Sequence, residues 1–386
     1  MAWTVDDLFD WELIRKYDRP GPRYTSYPTA PMFHAGIGPS EYDAALRRAA
    51  KLDAPLSLYV HIPFCDTVCY YCGCNKIATK QREKALPYLD ALHREIAMVA
   101  ERIGGGRKVV QLHFGGGTPT FLSAPQLKAI FEDLRAHFPF ADDAEGEYGI
   151  EVDPRECDRE MVFALREMGF NRISIGVQDF DPEVQRAVNR IQPPEITEEA
   201  LAAAREAGFV SVNFDLMYGL PKQSVASFRR TIERTIALGP DRIALFNYAH
   251  LPQMFPPQRR INESDLPSPA EKLAILHMSI DLLTRAGYIY IGMDHFAKPT
   301  DELARAQKEG KLYRNFQGYS THADCDLIGL GLTSIGFVDG AFFQNHKLME
   351  DYLRAIAEGK LATMRGYKLS REDHLRRFVI MRIMCD

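Results

Sequence analysis

From residue 57 onward, short runs rich in apolar and β-branched residues recur along the chain. They lie at 57–62, 109–114, 148–152, 172–177, 210–216, 242–247 and 288–292. Between them apolar residues return at helical spacing, over 88–102, 124–138, 159–168, 197–207, 225–238 and 270–286. Gly169, Gly208, Gly239 and Gly287 stand where several of these helices must stop before the next strand. Strand alternating with helix is the pattern of parallel βαβ units. Six or seven such units fit a barrel, whole or partial, better than a small open sheet, and no sequence repeat underlies the rhythm.

The flanks differ. Residues 19–31 hold four prolines, which exclude a regular helix and predict an extended arm with fixed bends. A short helix is expected over 40–51, with Ser40 as its N-cap. Beyond residue 311 the stretch 314–321 is polar and loop-like. Residues 327–336 are apolar and glycine-rich, suited to close backbone approach to a ligand. Helical patterns follow at 347–357 and 370–384, and the last runs on with no closing turn. The expected division is 1–56 as arm and helix, 57–300 as barrel core, and 301–386 as active-site loops and the start of a helical region.

Composition narrows the classes. The 386 residues suffice for one barrel-sized domain with extensions, and a 46% hydrophobic, 26% charged composition is that of a soluble globular protein. A net charge of −5 argues against nucleic acid as a main partner. The acidic N-terminus lacks the pattern of a secretory signal, and no run approaches the ~18 apolar residues of a membrane span. Seven cysteines, most of them clustered, do not resemble a secreted disulfide framework. A cytoplasmic, monomeric protein is expected.

Chemistry concentrates at two places. Cys65, Cys69, Cys72 and Cys74 fall within ten residues, directly after the first predicted strand. Clustered thiolates select zinc or an iron–sulfur cluster. Structural zinc usually takes two separated pairs, and Cys157, Cys325 and Cys385 stand alone, so a single loop wrapping a cubane cluster is favoured. Three thiols on a four-iron cluster would leave one iron open, and Cys74 is a further candidate on spacing alone. The second place is Gly115-Gly116-Gly117-Thr118-Pro119, after the second strand. Its spacing is not that of a dinucleotide-binding fingerprint, and beside a thiolate loop it reads as a small-molecule shelf. Predicted strands end on His61, Gly115, Glu151 and Asp153, Gln178, Asp215 and Asn247. In a parallel barrel these ends build the active site.

C-x3-C-x2-C with Tyr71 before the third cysteine, then a GGGTP loop in a βα rhythm, resembles the radical S-adenosylmethionine (SAM) superfamily. More narrowly, Tyr59-Val-His-Ile-Pro-Phe-Cys65, Cys72-Gly-Cys74-Asn-Lys, Glu151-Val-Asp-Pro-Arg155, Gly176-Val-Gln-Asp-Phe180, Asp215-Leu-Met-Tyr-Gly-Leu-Pro221 and Asn247-Tyr-Ala-His-Leu-Pro252 resemble the oxygen-independent coproporphyrinogen III oxidase family. So do Arg23-Tyr-Thr-Ser-Tyr-Pro-Thr29 and Arg314-Asn-Phe-Gln-Gly-Tyr319. The resemblance implies an α/β fold: a partial (β/α)6 TIM-like barrel with an N-terminal extended arm and a truncated helical C-terminal region. It implies a [4Fe-4S] cluster on Cys65, Cys69 and Cys72, with Cys74 outside the ligand set, and two molecules of SAM. The first SAM would meet Tyr59, Tyr71, Gly116, Glu151 and Ile335. The second would meet Gly117, Thr118, Gln178, Arg190, Asp215 and Ala249. Tyr59 and Glu151 are the candidate catalytic pair. His61 is expected to support the cluster loop, and Arg23 to meet a substrate carboxylate.

The implied reaction turns two propionates of coproporphyrinogen III into vinyl groups, through a 5′-deoxyadenosyl radical that removes a β-hydrogen before carbon dioxide leaves. An electron-donating reductase or flavodoxin-like protein is the implied partner. Two other readings stand beside this one: a porphyrin- or haem-binding carrier of the same fold without turnover, and a zinc-stabilised structural protein.

Overall fold

The computed structural model describes residues 5–17, 27–323 and 325–385. Most of the proline-rich arm, Arg23 included, lies outside the described residues. Strands β1 (Leu56–Ile62), β2 (Val109–Gly116), β3 (Glu147–Val152), β4 (Arg172–Gln178), β5 (Ser211–Tyr218) and β6 (Arg242–Asn247) run parallel and in sequence order. Helix α1 (Pro39–Ala49) precedes them. The crossovers carry α2 (Leu86–Ile103), α3 (Ala124–His137), α4 (Arg159–Met168), α5 (Pro194–Ala207) and α6 (Val225–Leu238), and α7 (Pro269–Arg285) follows β6. Gly169, Gly208 and Gly239 close α4, α5 and α6 with φ of 117°, 83° and 63°, conformations open to glycine.

Burial follows period two along the strands. Leu58, Val60, Leu112, Phe114, Ile150, Ile173, Ile175, Val212, Phe214, Ile243 and Leu245 pack in one apolar core cluster. Their alternates are mostly polar or small, among them Gln111, His113, Glu147, Glu151, Ser174, Asn213 and Asp215, and these face a central cavity. A half-open barrel therefore forms, apolar toward its helices and polar toward its lumen.

Three expectations change. The seventh run, β7 (Ile289–Gly292), is not another parallel strand. Gly292 (φ 139°) and Met293 (φ 50°) turn the chain, so β8 (His295–Ala297) pairs antiparallel with both β6 and β7. The glycine-rich stretch 327–336 is mostly strand rather than loop. It forms β9 (Asp326–Leu330), parallel to β1, and β10 (Ile335–Val338). Its glycines serve the strands themselves: a Cβ at Gly329 would lie 2.8 Å from the Ile335 carbonyl carbon, and one at Gly336 2.7 Å from the Leu327 oxygen. Ser40 is not the cap of α1. Pro39 takes the first helical position, and the Gly38 N–H before it bonds the Glu41 carboxylate at 2.9 Å.

Beyond β10 come β11 (Ala341–Asn345), α8 (Met349–Ala357), β12 (Thr363–Lys368) and α9 (Arg371–Cys385). Among the described residues the sheet thus has twelve strands, ordered β12-β11-β10-β9-β1-β2-β3-β4-β5-β6-β8-β7. Among the described residues no helix is long and apolar enough to cross a membrane.

Candidate active site

The cysteine loop leaves the C-terminal end of β1 and is knitted to the glycine loop after β2. Gly117 N–H bonds Ile62 O and Thr118 N–H bonds Phe64 O, both at 2.8 Å, while Thr79 N–H bonds Cys65 O at 2.9 Å. Contact this close requires glycine. A Cβ at Gly117 would lie 2.6 Å from Phe64 O and 3.0 Å from Cys65 Sγ, and Gly116 sits at φ 118°. Farther along, Asn189 Nδ2 donates to Val68 O at 2.8 Å, and Tyr70 N–H to Val188 O at 2.9 Å.

Each of the three candidate ligand thiols is met by a hydrogen-bond donor. Thr118 Oγ1 faces Cys65 Sγ at 3.6 Å, and Arg155 Nη2 and Arg190 Nη1 both face Cys69 Sγ at 3.6 Å. A bond to Cys74 holds the Cys72 thiol well below its ordinary value, whereas burial pushes Cys65 up to about 12. Donors and cations around sulfur favour the thiolate, the form that binds metal. Cys65, Cys69 and Cys72 all line one cavity of about 470 Å³. Among the described residues no three His, Cys, Asp or Glu side chains converge as ligands of a single ion. A four-iron cluster makes no such demand, since each thiolate takes its own iron. The donor set, the cavity and the glycine cradle fit such a cluster.

Asp153 sits behind Cys69, at 2.6 Å from Arg155 Nη2 and 2.7 Å from Arg190 Nη1. Burial alone would raise its pKa, but the two guanidiniums take it down to about 2. Arg190 also donates to Gly176 O at 2.6 Å, and its buried Nε has no partner among the described residues.

Deeper in the lumen two carboxylates are driven apart. Burial opposes ionisation of Glu151, yet His113 Nε2 at 3.0 Å and the Gly116 N–H bring its pKa below the ordinary value. Asp215 rises to about 7, from burial first and then from the Glu151 charge, against hydrogen bonds from Ser174 (2.9 Å) and Asn213 (2.7 Å). At neutral pH Glu151 is thus an acceptor, and Asp215 sits at the midpoint between acid and base.

Gln178 reaches the cavity through strain. Its φ is 66°, with Asp179 N–H bonded to Val177 O at 2.9 Å, where a bulge shifts the register of β4 against β5. The Asp179 carboxylate holds the turn by accepting from Thr231 Oγ1 at 2.5 Å and Gln223 Nε2 at 2.6 Å.

Of the residues singled out in the sequence, the cavity gathers Cys65, Cys69, Cys72, Tyr71, Gly116, Gly117, Thr118, Glu151, Gln178, Arg190 and Asp215. Three of the candidate SAM contacts, Tyr59, Ala249 and Ile335, stand outside its lining. Tyr59 stacks on His113 (centroids 6.0 Å apart) and bonds His61 Nδ1 at 3.1 Å. His61 Nε2 faces Asn75 O at 3.2 Å, so Nε2 carries the proton and Nδ1 accepts from Tyr59. Ala249 O accepts from Gln258 Nε2 at 3.3 Å, and that amide also bonds Tyr71 O at 3.0 Å. Ile335 packs in an aromatic cluster with Phe33 and Phe316. Cys74 also reaches the cavity wall. Asp153, expected at a strand end, also lines it, and unforeseen lining residues include His113, Arg155, Ser174 and Asn213. Polar residues at every second position of otherwise apolar strands were the signal that marked most of them.

Comparison with known proteins agrees with this geometry. The Radical SAM superfamily model matches residues 59–235. The chain is 55% identical over 377 residues to the oxygen-independent coproporphyrinogen III oxidase of Pseudomonas aeruginosa, covering 98% of this chain and 82% of the relative. The chain belongs to the oxygen-independent coproporphyrinogen III oxidase family. The member of this family from Escherichia coli is 51% identical over 98% of this chain and 82% of its own. A solved structure of the Escherichia coli oxidase, described as a radical SAM enzyme, superposes with a TM-score of 0.91 at 50% identity, over 97% of this chain and 84% of that one. Family membership carries the [4Fe-4S] cluster and SAM as cofactors.

Proposed function

We propose that the chain catalyses the oxidative decarboxylation of two propionates of coproporphyrinogen III to vinyl groups, giving protoporphyrinogen IX in haem biosynthesis. The observation that carries this reading is the three-thiol loop locked by backbone hydrogen bonds onto the glycine shelf, at the mouth of a polar lumen. When bound, the cluster and SAM supply one-electron reductive cleavage and a 5′-deoxyadenosyl radical able to remove a β-hydrogen.

Cys65, Cys69 and Cys72 are the proposed ligands, with Thr118, Arg155 and Arg190 donating toward sulfur. Gly116 and Gly117 admit the SAM backbone to the shelf, and Tyr71 walls it. Glu151, ionised and held by His113, accepts hydrogen bonds from the SAM ammonium or ribose. Tyr59 fixes His113 by stacking, and Ile335 borders this first SAM. A second SAM is proposed against Gly117, Thr118, Gln178, Asp215 and Ala249. The Arg190 guanidinium, which keeps an unbonded Nε–H, faces its carboxylate. The polar lumen positions substrate and, once filled, excludes bulk water. A reductase or flavodoxin-like electron donor, a monomeric state and a cytoplasmic location complete the proposal.

The test is anaerobic reconstitution followed by turnover. Iron and sulfide near four each per chain, SAM cleavage under reduction, and conversion of coproporphyrinogen III are expected. SAM cleavage without decarboxylation would overturn the substrate assignment.

A further inference from the structure

Strands β10 to β12 present a face unlike the lumen. Ile335 pairs with Gln344, and Gln344 with Arg365; Phe337 pairs with Phe342, and Phe342 with Tyr367. Directly paired residues share a face of a sheet, so these six side chains form one surface. Phe316 packs on it, 5.4 Å from Phe342 between centroids, and Phe33 lies 5.7 Å from Phe342. The same loop that places Phe316 here turns Asn315, Gln317 and Gly318 into the lumen. The aromatic face and the cavity therefore meet along one short segment.

Two arginines stand at this face, and a lysine lies near one of them. The Arg377 guanidinium, from α9, lies 4.3 Å from the Phe337 centroid and 5.3 Å from that of Phe342, and it donates to the Tyr313 hydroxyl. Its Nη1 is buried with no hydrogen-bond partner among the described residues. Arg365 lies 5.9 Å from the Phe33 centroid and spends one N–H on Gln344 Oε1 at 2.7 Å. Lys347 is close enough that the Arg365 charge adds to burial in lowering its pKa.

Among the described residues no carboxylate forms an ion pair with any of the three. The lumen arginines are different: Arg155 and Arg190 hold Asp153, and Arg172 and Arg242 hold Glu302 and Asp301. Asp373, at the rim of the aromatic face, accepts instead from the hydroxyls of Tyr27 (2.7 Å), Tyr367 (3.1 Å) and Ser370 (2.6 Å). An acidic protein has thus gathered uncompensated cations over aromatic rings, next to its reaction cavity. Ring stacking leaves guanidinium N–H groups unsatisfied, and a buried one needs an acceptor.

We propose that this face recognises the substrate's carboxylates: Arg365 and Arg377, with Lys347 beside them, bind propionates of the tetrapyrrole, while the half-buried Phe316 and Phe337, backed by the buried Phe342, carry the macrocycle's apolar edge. The inference rests on the substrate reading above. Coproporphyrinogen III has four propionates and two react, which leaves two to anchor the ring. A planar guanidinium fork matches a carboxylate in two parallel hydrogen bonds, which lysine does not reproduce.

The experiment is an anaerobic fluorescence titration of the reconstituted protein. Coproporphyrin III, the stable oxidised analogue, is compared with its tetramethyl ester. Wild type should bind the tetra-acid more tightly than the ester, by a margin that shrinks with salt. Arg365→Gln and Arg377→Gln should each weaken the tetra-acid about tenfold, and the double variant more, with the ester unchanged. Arg365→Lys and Arg377→Lys should recover part of the loss. Iron content and SAM cleavage should stay at wild-type levels throughout. An unmoved tetra-acid Kd in the double variant, or equal loss for acid and ester, overturns the proposal. A wild type that decarboxylates coproporphyrinogen while the double variant keeps its KM also overturns it, and leaves the proposed function standing. A wild type that cleaves SAM but neither binds nor converts a tetrapyrrole overturns both.

Discussion

Glu95 is a buried carboxylate on α2 with no cation paired to it among the described residues. Its oxygens accept from Gly331 N–H at 2.7 Å, Asn345 Nδ2 at 2.6 Å and Tyr352 Oη at 2.8 Å. Burial outweighs these bonds and raises its pKa from 4.5 to about 6. A carboxyl group with a raised native pKa binds more protons folded than unfolded. Stability therefore falls as pH rises between the two values. The shift of about 1.5 units corresponds to roughly 2 kcal/mol, lost by pH 7 relative to pH 4. Glu95→Gln removes that titration but turns an amide N–H₂ toward a donor, at a cost of about one hydrogen bond, ~1 kcal/mol. The two nearly cancel, so at pH 7 the variant should lie within ~1 kcal/mol of wild type. Glu95→Ala instead leaves the Gly331 N–H and the Asn345 amide unmet around a cavity, costing roughly 3–5 kcal/mol. Urea unfolding of the holoprotein at pH steps from 4.5 to 7.5 measures both. Wild type should lose about 2 kcal/mol relative to Glu95→Gln across that range. Parallel profiles for the two proteins would refute the reasoning.

Other perturbations separate the parts of the site. Cys65→Ser, Cys69→Ser or Cys72→Ser should each abolish stable cluster incorporation, measured as iron and sulfide per chain. Cys74→Ser should retain the cluster, since the resemblance leaves that thiol outside the ligand set. Gly117→Ala drives a Cβ to within 2.6 Å of backbone at Phe64, where no flexible side chain can yield. It should cost ~1–3 kcal/mol and lower cluster loading in absorption spectra, and normal loading would count against the cradle. With Asp215 near its midpoint at about 7, SAM affinity should strengthen as pH rises through that value and the carboxylate ionises. Asp215→Asn should flatten the profile in equilibrium binding, and an unchanged slope would remove Asp215 from the site.

Much of this was legible in residue order. Period-two and period-3.6 patterning gave six parallel strands and their helices nearly to the residue, because each element buries one face and the pattern records which. The cysteine spacing and the glycine triplet pointed to a metal-binding loop beside a small-molecule shelf, because such a loop is local, and the resemblance to a family supplied the chemistry. Other features were not local. Asp153 was visible as a strand end, but its pairing with Arg190 was not, since that arginine lies 37 residues along the chain and meets it only in the folded barrel. Glycines 329 and 336 looked like a ligand shelf, because close approach to a strand and to a ligand ask the same thing of a residue. Arg365 and Arg377 carry no motif at all. Their shared aromatic floor exists only once β10, β11 and β12 align in register and α9 packs across them. Sequence by itself determined the six parallel strands with their helices and the candidate cluster loop, each written in neighbouring residues, and its resemblance to a family implied the reaction class. Tertiary structure alone decided which charges neutralise one another and which are left facing a ligand, because electrostatic pairing depends on distances that chain order does not contain.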